Sequence, residues 1–138
     1  MKRAPQGLII ALWLAKTVSV SLAADASQKP AETSITHVDP KQAHQLVADK
    51  KMTVIDLRTP AEFKSERIAG ATNIDFMAAD FESRIKSLDK SKPYLVHCAV
   101  GGRSSHSLAT FKRLQFQSIY HLDGGIKAWE KAGLPLQK

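Results

Sequence analysis

The chain has 138 residues, of which 43% are hydrophobic and 24% are charged, values that are typical of one globular domain and exclude wholesale disorder. Its single cysteine, Cys98, excludes an intramolecular disulfide framework, a cysteine-rich metal site and a two-cysteine redox cycle. The net charge of +7 comes from scattered lysines, without the basic and aromatic clusters of a nucleic-acid surface. We therefore expect no nucleic-acid partner.

The first 24 residues differ in composition from the rest of the chain. A basic start at residues 1–3 precedes an apolar run over residues 8–15, and small residues follow, as in a secretory signal peptide. This pattern predicts a signal peptide over residues 1–24, cleaved near residues 23–26, and export of the domain to a periplasm. Lys16 interrupts the apolar stretch and leaves an uncleaved anchor as the alternative. The run is shorter than the roughly 20 residues of a spanning helix, so we expect no stable membrane insertion after cleavage.

Signal cleavage also changes the charge of the chain. Residues 1–24 contain three basic residues and no acidic ones, so the remaining chain has a net charge of +4. Such a mild excess is compatible with a small anionic substrate but does not require one.

After a polar N-terminal lead over residues 25–34, strand and helix patterns alternate through a domain over residues 35–138. Asp39 and Thr59 each precede a proline and have the character of helix N-caps. The alternation predicts an α/β fold, in which a mostly parallel sheet carries helices on both faces and binds ligands at the carboxyl ends of its strands. The strands are predicted at residues 35–38, 53–57, 71–74, 94–97 and 119–122, and the later helices at residues 76–88, after Ser104 and at residues 126–132.

The segment between the fourth predicted strand and its helix, residues 98–104 (CAVGGRS), carries the candidate chemistry. Gly101 and Gly102 can adopt backbone angles that turn successive N–H groups inward as an anion-binding nest. The positive end of the following helix adds to this cradle, and Arg103 adds either a cation or a brace for the loop. A thiol at its centre has a lowered pKa, because each contribution favours the thiolate. We therefore predict that Cys98 is a nucleophile, with a buried, inert thiol as the alternative.

Three segments, in order along the chain, resemble the signatures of the rhodanese-like family. They are residues 54–74, which begin VIDLRTPAEF and end IAGATNI, the loop at residues 98–104, and residues 122–129 (LDGGIKAW), with GLP following at residues 133–135. The resemblance covers about residues 35–136 and implies a five-stranded, mostly parallel sheet between helices.

The resemblance also implies an activity and its residues. It implies a sulfurtransferase in which the catalytic Cys98 takes sulfur from a donor such as thiosulfate as a persulfide and passes it to cyanide or a thiol. No metal or organic cofactor is needed. The alternative is a rhodanese-like sulfur carrier, sensor or binding module without turnover. The resemblance assigns substrate binding to the six residues that follow the nucleophile: Ala99, Val100, Gly101, Gly102, Arg103 and Ser104.

The loop also carries information about specificity. Four residues separate Cys98 from Arg103. Members that resemble phosphatases and arsenate reductases have a loop one residue longer, so the shorter loop favours sulfur over phosphate. Ala99 and Val100 are uncharged, whereas members that look specialised for thiosulfate carry basic residues there. We therefore expect thiosulfate to be a poor or surrogate donor.

Asp56 and Arg58 are the predicted supporting residues. They flank one residue at the end of a strand, so their side chains share a face and are expected to form a structural ion pair. The family resemblance implies a scaffold role for them near the active loop. Glu62, one helical turn further on, is a possible second partner for Arg58. Asp123 is predicted to cap the last helix.

The five histidines give no sign of a metal site at the level of spacing. His97 precedes Cys98 but faces the opposite side of its strand, which predicts a packed or partly exposed histidine rather than a Cys–His dyad. His106 is expected to be solvated on the helix after the loop, and the alternative is a histidine that faces the mouth of the site and adds positive charge when protonated. His37, His44 and His121 are scattered, without the spacing of metal ligands. The sequence leaves the oligomeric state open.

Overall fold

The computed structural model describes residues 29–138. The predicted signal peptide, its cleavage region and residues 25–28 of the polar lead lie outside the described residues. Among residues 29–138, none of the helices combines the length and the apolar character that crossing a membrane requires.

Five parallel strands form one sheet in the order β1-β5-β4-β2-β3, which confirms the predicted α/β fold. Every pairing between these strands is parallel, and an isolated antiparallel bridge joins Arg67 to Gln137. The first strand begins at Ser34, one residue inside the predicted lead. The strands are β1 (Ser34–Val38), β2 (Thr53–Asp56), β3 (Thr72–Asn73), β4 (Tyr94–His97) and β5 (Ser118–Leu122).

Helices cover both faces of the sheet, and the strand residues alternate between them. On β2, Val54 packs in a cluster with Ala43 of α1 and Trp129 of α5. Its neighbour Ile55 packs in the other cluster, with Phe111 of α4 and residues of α3. This alternation follows from the two-residue period of a strand and makes both faces apolar. The helices are α1 (Pro40–Ala48), α2 (Pro60–Ser65), α3 (Phe81–Lys86), α4 (Gly102–Arg113) and α5 (Gly125–Lys131).

The two predicted N-caps are confirmed. The Asp39 carboxylate accepts from the amide of Gln42, whose side chain accepts in turn from the amide of Asp39. Thr59 and Glu62 form the same reciprocal capping box at the start of α2. Each box satisfies amides that the first turn of a helix leaves without a partner.

The prediction of one long helix over residues 76–88 is wrong at its start. Only Phe81–Lys86 is helical, and the chain turns before it. The amide of Phe76 donates to the carbonyl of Leu57 at 3.1 Å, and the amide of Met77 donates to the carboxylate of Asp75 at 2.9 Å. The first contact ties Phe76 to the chain just after β2, and the second forms a turn in place of a first helical turn. The ring of Phe76 still packs edge-on against Phe81, with centroids 5.1 Å apart.

The topology places Cys98 at an interior position of the sheet. Cys98 follows β4, which lies between β5 and β2. The chain leaves β2 toward β3 on one side and leaves β4 toward β5 on the other, so the loops after these two strands diverge. The carboxyl ends of strands at such a divergence are where open α/β sheets bind ligands.

Candidate active site

The loop after β4 turns sharply into α4. Gly101 has φ of +108° and is the N-cap residue of α4, and Gly102 is the first residue of that helix. Only glycine takes this angle without strain, so the special backbone requirement falls on Gly101. The expectation that both glycines adopt unusual angles is wrong for Gly102, which is helical and exposed.

The start of α5 holds the carbonyl groups of this loop. The amide of Ile126 donates to the carbonyl of Cys98 at 2.9 Å, and that of Lys127 donates to the carbonyl of Ala99 at 3.1 Å. Gly125 has φ of +63°, and a Cβ atom there would lie 2.5 Å from the carbonyl oxygen of Ala99. A side chain would therefore push the loop away from α5. The sequence analysis included Gly125 only in the segment at residues 122–129 and missed this supporting role.

Hydrogen bonds converge on the sulfur of Cys98, which is buried with 1% of the residue exposed. The amide of Gly101 donates to Sγ at 3.1 Å, and the Ser104 hydroxyl lies 3.4 Å from it. The backbone amides of Val100 and Ser104 also face the sulfur. These contacts place Val100, Gly101 and Ser104 around the sulfur of Cys98. Substrate contacts of all six residues of the loop stay predictions.

The cradle favours the thiolate form of Cys98. Burial acts to raise the pKa of this thiol. Hydrogen bonds from the Ser104 side chain and from the amides of Ser104, Gly101 and Val100 outweigh burial and lower the pKa below its ordinary value. The site is thus built to carry a nucleophilic sulfur.

Arg103 braces the loop rather than facing the sulfur as an unpaired cation. Its guanidinium makes two hydrogen bonds to the Glu62 carboxylate, at 3.0 and 3.1 Å, and so links α4 to α2. The bond to Arg103 is the main reason that the pKa of Glu62 falls to about 2. The suggested pairing of Glu62 with Arg58 is therefore wrong, because the carboxylate faces α4 and the Thr59 cap instead.

The ion pair predicted between Asp56 and Arg58 is present and fully buried. Arg58 Nη2 lies 2.8 Å from Asp56 Oδ2 and also donates to the carbonyl of Glu66 at 2.7 Å. His97 lies on the neighbouring strand, with its Nε2 3.6 Å from the same Asp56 oxygen and its Nδ1 3.1 Å from the carbonyl of Cys98. As predicted, His97 is packed and makes no bond to the thiol. Burial lowers its pKa and keeps the ring neutral.

A second polar network reaches the nucleophile from β5 and β1. His121 Nε2 lies 2.8 Å from the Ser104 hydroxyl, and His121 Nδ1 lies 2.9 Å from Asp123 Oδ1. His37 stands opposite His121 in the sheet, and its Nδ1 contacts the same Asp123 oxygen at 2.7 Å. Asp123 therefore does not cap α5, whose N-cap residue is Gly124, contrary to the prediction.

The prediction that the histidines are scattered is wrong for His37 and His121. With Asp123 they bring three ligand atoms within 4.8 Å of one another. We assign no metal to the cluster, since one carboxylate oxygen already accepts from both rings. His44 behaves differently and packs edge-on against Trp129. His106 is exposed, as expected.

These features define a parallel α/β domain whose interior strand delivers an amide-bound thiol to the carboxyl edge of the sheet. The chain belongs to the rhodanese-like domain family, which matches residues 39–132. A solved structure of a rhodanese-related protein from Thermoplasma volcanium superposes with a TM-score of 0.66 at 27% identity, covering 74% of this chain and 97% of that one.

Two relatives show the range of the similarity. The thiosulfate sulfurtransferase GlpE of Pseudomonas aeruginosa (strain LESB58) is 36% identical over 93 residues, which are 67% of this chain and 81% of that protein. An uncharacterized protein of Synechocystis is 30% identical over 107 residues, or 78% of this chain. The chain spans only 58% of the length of the Synechocystis protein.

Proposed function

We propose that this domain transfers sulfane sulfur through a persulfide on Cys98. The observation that carries the proposal is the ring of donors around one buried sulfur atom, with the Gly101 amide at 3.1 Å and the Ser104 hydroxyl at 3.4 Å. Membership of the rhodanese-like family and the similarity to a protein named as a thiosulfate sulfurtransferase support the same activity.

The reaction has two displacement steps at sulfur. The Cys98 thiolate attacks the outer sulfur of the donor, so a new S–S bond forms while the donor bond breaks and the leaving group takes the electron pair. With thiosulfate the leaving group is sulfite. An acceptor thiolate or cyanide then attacks the outer sulfur of the persulfide, and Cys98 leaves as the thiolate. Neither step needs a metal or organic cofactor.

The loop amides would hold the negative charge in both steps. Amides directed at a position where charge develops stabilise it without having to reorganise. Val100, Gly101 and Ser104 already face the sulfur, and Ala99, Gly102 and Arg103 complete the proposed ring. Asp56 and Arg58 would act behind it as scaffold, since their ion pair is closed and buried.

The charge around the loop bears on the donor. Ala99 and Val100 add no charge, and Glu62 neutralises the guanidinium of Arg103. A dianion such as thiosulfate would find little positive charge beyond the amides. This supports the proposal that thiosulfate is a surrogate, and that a less charged organic persulfide or organic polysulfide is the better donor.

A non-catalytic sulfur carrier or binding module is the second candidate. The 1% exposure of Cys98 favours it, because a buried sulfur is poorly placed for rapid exchange with large acceptors. A carrier would take up sulfur but release it slowly to every small acceptor. The rates of loading and discharge therefore separate the two candidates.

The first experiment is the intact mass of the domain before and after incubation with thiosulfate or a polysulfide. We expect the wild-type protein to gain one sulfur atom, which cyanide removes, and the Cys98→Ser variant to gain none. His106→Gln is the matched control, because His106 is exposed. A wild-type protein with a free thiol that gains sulfur from neither donor would contradict the proposal.

We further propose that the domain is exported. The composition of residues 1–24 supports this, with its basic start, apolar run and small residues. The test is to express the full chain in a bacterium, separate the periplasm from the cytoplasm, and measure the mass of the protein in each. Export predicts a periplasmic product that begins near residues 23–26, and Lys2→Glu with Arg3→Glu should retain the precursor. A full-length product confined to the cytoplasm would contradict export.

A further inference from the structure

We propose that His121 is a positioning residue that accepts the proton of the Cys98 thiol through the hydroxyl of Ser104. The inference rests on the proposed function, because it assigns the way in which the nucleophile of that reaction becomes a thiolate. The sulfur transfer chemistry itself does not require this residue.

Four contacts form a continuous path from the sulfur to the surface. Cys98 Sγ lies 3.4 Å from Ser104 Oγ, which lies 2.8 Å from His121 Nε2. On the far side of the ring, His121 Nδ1 lies 2.9 Å from Asp123 Oδ1. That oxygen lies 2.7 Å from His37 Nδ1. The first three residues are buried, whereas the side chains of Asp123 and His37 are about half exposed.

The hydrogen bonds fix the direction of the donors. A carboxylate only accepts, so Asp123 requires a proton on Nδ1 of His121. When the ring is neutral, its Nε2 then carries a lone pair that faces Ser104. The Ser104 hydroxyl has one proton and also lies 3.2 Å from the carbonyl of Gly101. Its contact with His121 is shorter, at 2.8 Å, so the ring rather than the carbonyl is the favoured acceptor of the hydroxyl proton.

In this arrangement one proton transfer balances along the path. The thiol proton of Cys98 passes to Ser104 Oγ while the hydroxyl proton passes to His121 Nε2. The S–H bond and the original O–H bond break, and a new O–H bond and an N–H bond form. The products are a thiolate and an imidazolium, and Ser104 is neutral before and after. The Ser104 hydroxyl then donates to the thiolate, and Asp123 stabilises the imidazolium.

The charged groups around the path also favour the thiolate of Cys98 and the imidazolium of His121. From β1, His37 donates to Asp123, and the pKa of Asp123 is lowered chiefly by that bond, so the carboxylate stays charged. From α4, the positive Arg103 lies near enough to Cys98 for the two to interact, although Glu62 and Asp75 offset it. Ser105 of α4 also lies 3.5 Å from His121 Nε2. His97 faces Asp56 and does not take part.

The test is the pH dependence of alkylation of Cys98 by iodoacetamide, measured by intact mass in the presence of a metal chelator. Cys98 is the only cysteine of the chain, so the mass change reports on this thiol alone. His121→Gln can hydrogen-bond Ser104 but cannot accept a proton. We expect its midpoint to rise by about one pH unit, which slows alkylation about tenfold below the midpoint. Above the midpoint its rate should rejoin that of the wild type.

Ser104→Ala and the double variant of Ser104 and His121 separate a relay from a simple hydrogen bond. Ser104→Ala should raise the midpoint as His121→Gln does, and the double variant should add little, because both break one path. His106→Gln is the control, because His106 is an exposed histidine of α4, the helix that contains Ser104. Its thiol should titrate as that of the wild type does. Loss of rate by His121→Gln at every pH would overturn the proposal, since it would show a structural role. A shift in Ser104→Ala but not in His121→Gln would also overturn it.

The alkylation requires no sulfur donor, so its outcome is independent of the proposed function. If the variants show the expected shifts but the wild-type protein gains no sulfur, the relay stands and the transferase is refuted. A protein that gains sulfur while His121→Gln titrates as the wild type does would refute the relay alone.

Discussion

Two histidine–aspartate pairs flank the nucleophile, and burial separates their roles. On one side, His97 and Asp56 are both fully buried, with Arg58 closing the pair. On the other, His121 is buried but Asp123 has a side chain that is 55% exposed. The same two residue types therefore form a closed scaffold on one side of Cys98 and an open path to solvent on the other. A pair can exchange protons only where one member reaches water.

The largest difference between the two sides is expected in stability. Asp56→Ala leaves the buried Arg58 without its partner, and breaking a buried ion pair costs about 3–5 kcal/mol. Asp123→Ala removes a half-exposed carboxylate and should cost about 1 kcal/mol or less. Urea unfolding of both variants measures the contrast. Equal losses would show that the two pairs do not differ as their burial indicates.

A second contrast concerns the backbone at the start of α5, which supports the loop on the side of His121 and Asp123. Gly125→Ala places a Cβ atom 2.5 Å from a carbonyl oxygen of the loop, at φ of +63°. We expect a loss of about 1–3 kcal/mol and slower alkylation of Cys98, because the cradle must shift. Gly70→Ala, at φ of +78° with nothing within 4 Å, should keep normal alkylation. Normal alkylation in Gly125→Ala would mean that the cradle tolerates a displaced α5.

The buried pair of His97 and Asp56 should also make the stability of the protein depend on pH. Burial lowers the pKa of His97 below its ordinary value of 6.5. The unfolded chain then binds more protons than the folded one, so stability falls as the pH drops below about 6.5. His97→Gln should flatten this part of the profile relative to the wild type. Unfolding free energies across this pH range would test it, and an unchanged slope would assign the loss to other groups.

The smallest effect on stability is expected for the ion pair between Arg103 and Glu62, which joins α4 to α2. The pKa of Glu62 is about 2 in the folded protein against an ordinary 4.5. A depressed folded pKa stabilises the protein above pH 4.5, and this contribution is lost as the pH falls toward 2. Because the pair is partly exposed, the contribution should be about 1 kcal/mol or less. Glu62→Gln should remove it, whereas Glu66→Gln, which leaves the bond to Arg103 intact, should not.

Much of the fold was predictable because its signals are local. Alternating apolar strands and capped helices indicated a parallel sheet with helices on both faces, and the N-caps at Asp39 and Thr59 formed where the sequence placed them. The helix predicted over residues 76–88 begins only at Phe81, and the segment before it is tied through Phe76 to Leu57, a residue from another part of the chain. A helical pattern cannot reveal a competing partner that only the folded sheet supplies.

The sequence by itself determined the thiol cradle, since Cys98 and the amides that face it lie within seven consecutive residues. Only the tertiary structure decided what surrounds the cradle. Glu62 and Arg103 are 41 positions apart, and His37 and Asp123 are 86 apart. Such pairs depend on which strands become neighbours and in what register, here His37 opposite His121. Pairing and register are set by the packing of the whole core, which no local spacing records.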